Sequence, residues 1–76
     1  IADGQAEAVE FLVEKNSKHC GEPLKNMKLR PNILIASITR GAGTEIPSGD
    51  SQFAPGDTVV VVSERGGLRQ FNDIFA

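Results

Sequence analysis

Four consecutive valines, Val59–Val62, limit what this 76-residue chain can fold into more than any other stretch does. β-Branched side chains suit a pleated surface and lose rotamer freedom in a helix, so Thr58–Ser63 is expected to form a strand. Its hydrophobicity is unbroken instead of alternating, which predicts a strand covered on both faces. A second run, Ile33–Arg40 (ILIASITR), is nearly continuous in apolar character at its start and reads as the central strand, also covered on both faces. Over Ala6–Val13, Val9, Phe11 and Val13 fall on one face while Glu10 points away, the period of a half-buried strand.

The remaining segments follow from turn chemistry. Gly41-Ala42-Gly43 offers positive-φ positions for a hairpin from the central strand into Thr44-Glu45-Ile46, with Pro47 marking the end of that strand or a sheet edge. Ser48–Ser51 and Pro55-Gly56-Asp57 are turn clusters that frame Phe53, which is expected to tuck back onto the sheet. Pro23 fits the first turn of a helix, and Leu24 and Met27 share a face three residues apart. A short helix is therefore expected there, stopping before Pro31. Ser63 is placed to cap a C-terminal helix in which Leu68, Phe71 and Phe75 recur with Ile74 beside them, although Gly66 and Gly67 weaken its first turn. The expected fold is α+β: a small, mostly antiparallel sheet of four to five strands with a short helix and a C-terminal helix against one face.

Residues 1–76 are expected to make one domain around one core, since a chain this short buries only about 60% of its unfolded surface. Such a core is marginal without a staple. Cys20 is the single cysteine and His19 the single histidine, so an internal disulfide is excluded and a structural zinc site lacks ligands. Association with a second subunit is what remains. The net charge is −2 with basic residues scattered, which argues against nucleic acid as a partner. The longest apolar runs are strand-sized, well under the roughly 20 residues of a spanning helix. The chain begins Ile1-Ala2-Asp3-Gly4 without methionine and reads as a piece of a longer polypeptide.

Little in the chain suggests catalysis. Gly41-Ala42-Gly43 leads into a strand, whereas a dinucleotide fingerprint must open a helix. Adjacent His19 and Cys20 point their side chains apart, as a surface loop would have them. Asp50 and Asp57, with Ser48 and Ser51, are turn residues that bond local backbone, and no base stands ready to activate a hydroxyl. The expected function is non-catalytic.

Five segments together carry a resemblance: Gly4–Phe11 (GQAEAVEF), Gly21-Glu22-Pro23-Leu24, Asn32–Ala36 (NILIA), Ile46–Asp50 (IPSGD) and Pro55–Val59 (PGDTV). In that order, across nearly the whole chain, they resemble a TrkA C-terminal (RCK C-terminal) domain. Ala6–Phe11 and the closing Leu68–Ile74 are similar to the last domain of tandem TrkA-type potassium-uptake regulators. The resemblance implies a cytoplasmic regulatory domain at the inner face of the membrane. It implies a homodimer, joined to an N-terminal Rossmann (RCK) domain of the same chain and acting on a membrane potassium-transporter subunit. No cofactor is implied within the domain itself. Some relatives bind cyclic di-AMP between two such domains, and carried over residue by residue this implies a site at Asn32, Ile33 and Pro47. The family's phosphate-gripping arginine falls near Asn26 and its histidine near Gly41, so Arg40 or Arg30 is expected to take the phosphate. Ile33, Ile35 and Phe53 are either core or dimer seam. The rival reading is a structural coupling module that dimerises and binds no ligand.

Overall fold

The computed structural model describes residues 6–76, so the reading of the N-terminal start and of Gly4-Gln5 lies outside the described residues. Four strands form one antiparallel sheet: β1 (Glu7–Leu12), β2 (Ile33–Arg40), β3 (Gly43–Glu45) and β4 (Thr58–Ser63). Their order across the sheet is β1-β4-β2-β3. The valine strand is therefore interior, flanked by β1 on one side and β2 on the other. β2 turns into β3 through Gly41-Ala42, and Gly41 takes φ 57° while Ala42 does not adopt a positive φ, the pattern of a type II′ hairpin.

The two faces of the sheet have different fates. Val59, Val61 and Ser63 on β4, Phe11 on β1 and Ile35 and Ile38 on β2 point inward and are buried. Loops and the C-terminal segment close over them with Phe53, Leu68, Phe71, Ile74 and Phe75. Strand β2 reaches this register only because it carries a bulge between Ile35 and Ser37. The extra residue, Ala36, lets both Ile35 and Ile38 face inward although they are three positions apart. All four phenylalanines lie in this layer. Phe71 sits at their centre, edge-on to Phe53, Phe75 and Phe11 at centroid distances of 5.0, 5.6 and 6.4 Å.

The other face is open, which corrects the expectation that β2 and β4 are covered on both sides. Leu34 is 63% exposed, and Val60 and Val62 are only partly buried. Continuous hydrophobicity records what a face prefers, and here a single layer is too thin to satisfy both.

Neither expected helix forms, so the α+β assignment is replaced by an antiparallel sheet with two 3₁₀ turns. At the first, Leu24–Asn26, backbone donors are taken elsewhere: Leu24 N–H bonds Ser51 O at 2.9 Å and Lys25 N–H bonds Gly49 O at 2.9 Å. Only Asn26 and Met27 close i→i+3 bonds, and one turn is all that results. At the second, Phe71–Ile74, Ser63 does not act as a cap. It ends β4 and donates to Gly66 O at 3.2 Å. Gly66 and Gly67 both take positive φ, 67° and 83°, which a helical first turn forbids. The tail then competes for a different partner, Arg30 N–H to Ile74 O and Ala76 N–H to Lys28 O, both 2.9 Å, with Leu29 bridging Phe75. A helix of this length is marginal in isolation, and the extended pairing wins.

Because Phe71 touches the other three phenylalanine rings, Phe71→Ala should cost about 3–5 kcal/mol and leave the domain largely unfolded without denaturant. Leu34→Ala on the open face should cost well under about 1 kcal/mol. Urea unfolding followed by circular dichroism separates the two, and equal losses would contradict the one-sided core.

Candidate functional site

Asp57 follows the Pro55-Gly56 turn and opens β4 from inside the protein, with its side chain 0% exposed. A carboxylate cannot stay charged there unless its oxygens are satisfied. Three donors meet it: Arg40 Nε at 2.7 Å and Nη2 at 2.8 Å in a two-pronged pair, and the Ala54 backbone N–H at 2.8 Å. Arg40 Nη2 also reaches Gln52 O at 3.1 Å. Hydrogen bonding from Arg40 holds the Asp57 carboxyl below its ordinary range, although burial pushes the other way. The Arg40 side chain as a whole remains 57% exposed, and it borders a polar recess of about 430 Å³ with Glu45, Ser51 and Gln52.

The expected site residues do not gather in one place. Asn32 and Ile33 stand at the start of β2, and Arg40 at its end, roughly 25 Å away at about 3.3 Å per residue. Pro47 lies in the loop after β3, at the Arg40 end of the hairpin. Asn32 and Ile33 do come together. With Leu34 and Val62 they line a mainly apolar cleft of about 330 Å³. Asn32 adopts φ 64°, and its carbonyl accepts the Glu64 N–H at 3.0 Å, which pins the turn before β2 to the end of β4. An adjoining recess of about 210 Å³ is shared by Asn32 and Ile33 with Arg30 and Arg65. Among the described residues neither arginine lies within salt-bridge distance of a carboxylate. Arg30 and Arg65 are thus the cations at the Asn32 end, and Arg40 is committed to Asp57.

Of the other residues singled out, Asp50 pairs with Lys25 at 2.8 Å on the surface. The Glu22 carboxylate accepts from His19 Nδ1 at 3.0 Å, and the imidazole leans on the Phe75 ring, 4.6 Å between centroids. Burial, with the Asp57 charge adding to it, pushes the Cys20 thiol up, away from the thiolate a nucleophile needs. The anchoring role of Asp57 is not evident from the sequence. Pro-Gly-Asp signals a turn, and only the partner 17 residues upstream distinguishes a core carboxylate from a loop one.

Ile33, Ile35 and Phe53 all belong to the inward-facing side, Ile35 and Phe53 buried and Ile33 packed against the cluster, so they are core.

Since the folded state depresses the Asp57 pKa, its stabilising contribution is complete above about pH 4, the ordinary carboxylate value, and is lost as pH falls below it toward the folded value. Asp73 is lowered too, by the Arg69 and Gln70 backbone N–H groups, and contributes in the same direction. Urea midpoints taken from pH 7 to pH 2.5 should drop below pH 4, and the drop should be smaller in Asp57→Asn, which starts about 2–3 kcal/mol less stable at neutral pH. An Asp57→Asn variant with unchanged neutral-pH stability would refute the anchor.

Residues 8–76 match the TrkA-C domain family. The chain is 36% identical over 75 residues to a "Trk system potassium uptake protein TrkA homolog" of Archaeoglobus fulgidus, covering 99% of this chain and 17% of that protein. It is 37% identical over 63 residues to "Trk system potassium uptake protein TrkA homolog 1" of Methanosarcina mazei, covering 83% of this chain and 14% of that protein. A "Putative Na(+)/H(+) antiporter" of Bacillus subtilis is 33% identical over 52 residues, covering 68% of this chain and 8% of that protein. The chain therefore spans less than a fifth of the length of these curated relatives. With the match running from β1 to the final residue, the chain belongs to the TrkA-C domain family.

Proposed function

We propose that this domain is a non-catalytic regulatory module of a cytoplasmic potassium-transport regulator. In this reading it acts as a homodimer attached to an N-terminal Rossmann domain, and the assembly controls a membrane potassium-transporter subunit from its inner face. The observation that carries the reading is the family match over residues 8–76, together with relatives named as Trk potassium uptake proteins. No helix among the described residues is long and apolar enough to cross a membrane, so in this reading the transporter subunit supplies the membrane attachment.

Regulation requires that something bias one state of the assembly over another. The cleft at Asn32, Ile33, Leu34 and Val62 is the place for an effector, with an apolar wall for a base or ring. Arg30 in the adjoining recess supplies a cation for a phosphate, so cyclic di-AMP or another nucleotide is the class of ligand proposed. Arg40 is a poor choice for that role, because recruiting it would strip a buried carboxylate of its two strongest donors. That same engagement favours the second reading, a coupling module that transmits the state of the Rossmann domain and binds no ligand.

Thermal unfolding against cyclic di-AMP, AMP, ATP and NADH distinguishes them. A compound at 100 times its dissociation constant adds about 2.7 kcal/mol, which in a domain this small raises the midpoint by on the order of ten degrees. Under the effector reading one nucleotide does this and Arg30→Ala abolishes the shift. If none does, while the midpoint rises with protein concentration, the coupling module stands.

A further inference from the structure

At one corner of the sheet two arginines leave neighbouring strands together. Asn32 O accepts the Glu64 N–H at 3.0 Å, which ties β2 to β4 just beyond their ends. Arg30 lies two residues before Asn32 and Arg65 one residue after Glu64, so both come to the same recess of about 210 Å³. Among the described residues neither has a carboxylate within salt-bridge distance. Three acids stand near this corner, and none of them lines the recess. Asp73, whose carboxyl feels the Arg30 charge, is already occupied by the Arg69 and Gln70 backbone N–H groups at 2.9 and 3.0 Å. Glu64 borders the apolar cleft next door. Glu7 lies over Gly66, where an added Cβ would come 3.3 Å from its Oε1.

Two cations that share a recess with no acid in it repel each other, and an anion held between them replaces that repulsion with charge-assisted contacts. We infer that this recess takes a terminal phosphate monoester, with Arg65 as the second jaw beside Arg30, and that the ring attached to it lies in the cleft of Leu34 and Val62. The ligand class is then a nucleoside 5′-monophosphate. The inference rests on the effector reading of the proposed function and narrows it. Charge is the first reason. A phosphate monoester carries about −1.5 to −2 at neutral pH and has three free oxygens, enough for two guanidinium forks. A phosphodiester, as in a cyclic dinucleotide, carries a single charge and has two free oxygens. Size is the second. Small-molecule sites span roughly 300–1,000 Å³, so the cleft of about 330 Å³ stands at the bottom of that range and the recess of about 210 Å³ below it. One apolar wall houses one ring, and the recess houses one charged group. Asn32 and Ile33 line both, so a single ligand can span the two.

Calorimetric titration of the 76-residue chain with the common nucleoside 5′-monophosphates tests the assignment. The best of them is compared with its parent nucleoside, its 3′,5′-cyclic monophosphate, cyclic di-AMP and inorganic phosphate. The monophosphate should bind, and each of the others should bind at least about tenfold more weakly. Arg30→Ala and Arg65→Ala should each weaken the monophosphate at least about tenfold, and Arg65→Lys should recover part of the loss, because an ammonium keeps the charge without the fork. Arg69→Ala, outside the recess, should leave binding unchanged. Both recess arginines are exposed, and circular dichroism checks that each variant keeps the sheet. If a cyclic diester binds as tightly as the monophosphate and Arg65→Ala leaves it unchanged, the monoester assignment is overturned while the effector reading stands. Inorganic phosphate binding as tightly as the monophosphate overturns the joint use of cleft and recess. If no nucleotide binds at about 1 mM, the assignment and the effector reading fall together.

Discussion

A buried carboxylate is the constraint on which the rest of this small structure depends. Asp57 is fully enclosed, and satisfying it requires Arg40 at the end of β2, the Ala54 N–H in the preceding turn and a fixed entry into β4. Its backbone takes part as well: the carbonyl accepts the Val13 N–H at 2.8 Å, and Gly56 N–H returns to Val13 O at 2.7 Å. One residue therefore joins the end of β1, the end of β2, the start of β4 and the loop that delivers Phe53. A core of about a dozen apolar residues leaves little free energy to spare. In that setting a polar anchor that specifies register contributes something hydrophobic burial does not, because burial alone is indifferent to which turn sits where.

The two ends of β2 have separate roles as a result. At the Arg40 end every strong donor is occupied by Asp57, and the surrounding recess is polar and open. At the Asn32 end the walls are apolar and, among the described residues, no carboxylate lies within salt-bridge distance of the neighbouring arginines. Rigidity is concentrated at one end and accessible chemistry at the other.

Strands were legible in the sequence where the side chains themselves decide the matter. Val59–Val62 and Ile33–Arg40 are β-branched enough that no helix competes, and Gly41-Ala42 fixed the hairpin between β2 and β3. Helices were misjudged where spacing resembled a helical stripe but the backbone had better offers. Leu68, Phe71 and Phe75 are spaced like one helical face, yet they reach the core from a loop, a single 3₁₀ turn and an extended end that pairs with Lys28–Arg30. That pairing joins residues more than 40 positions apart and leaves no local trace. The same limit hid the site. Nothing near Arg40 in the sequence shows that Asp57, 17 positions on, is folded beneath it. The family itself was legible because its short motifs recur in order along the whole chain.

The bulge at Ala36 gives β2 two phases on one strand. Before it, odd-numbered residues face the core, as Ile33 and Ile35 do. After it, even-numbered ones do, as Ile38 and Arg40 do. Removing Ala36 would leave a regular strand in which Ile35 still opposes Val61, Ser37 Val60 and Ile38 Val59, so Ile38 and Arg40 would keep their side of the sheet and only the bulge would disappear. The bulge is thus the place where β2 absorbs one extra residue between the Asn32 turn and Arg40 without losing the carboxylate anchor, so a one-residue length difference in this strand is compatible with the anchor and need not fall in a loop.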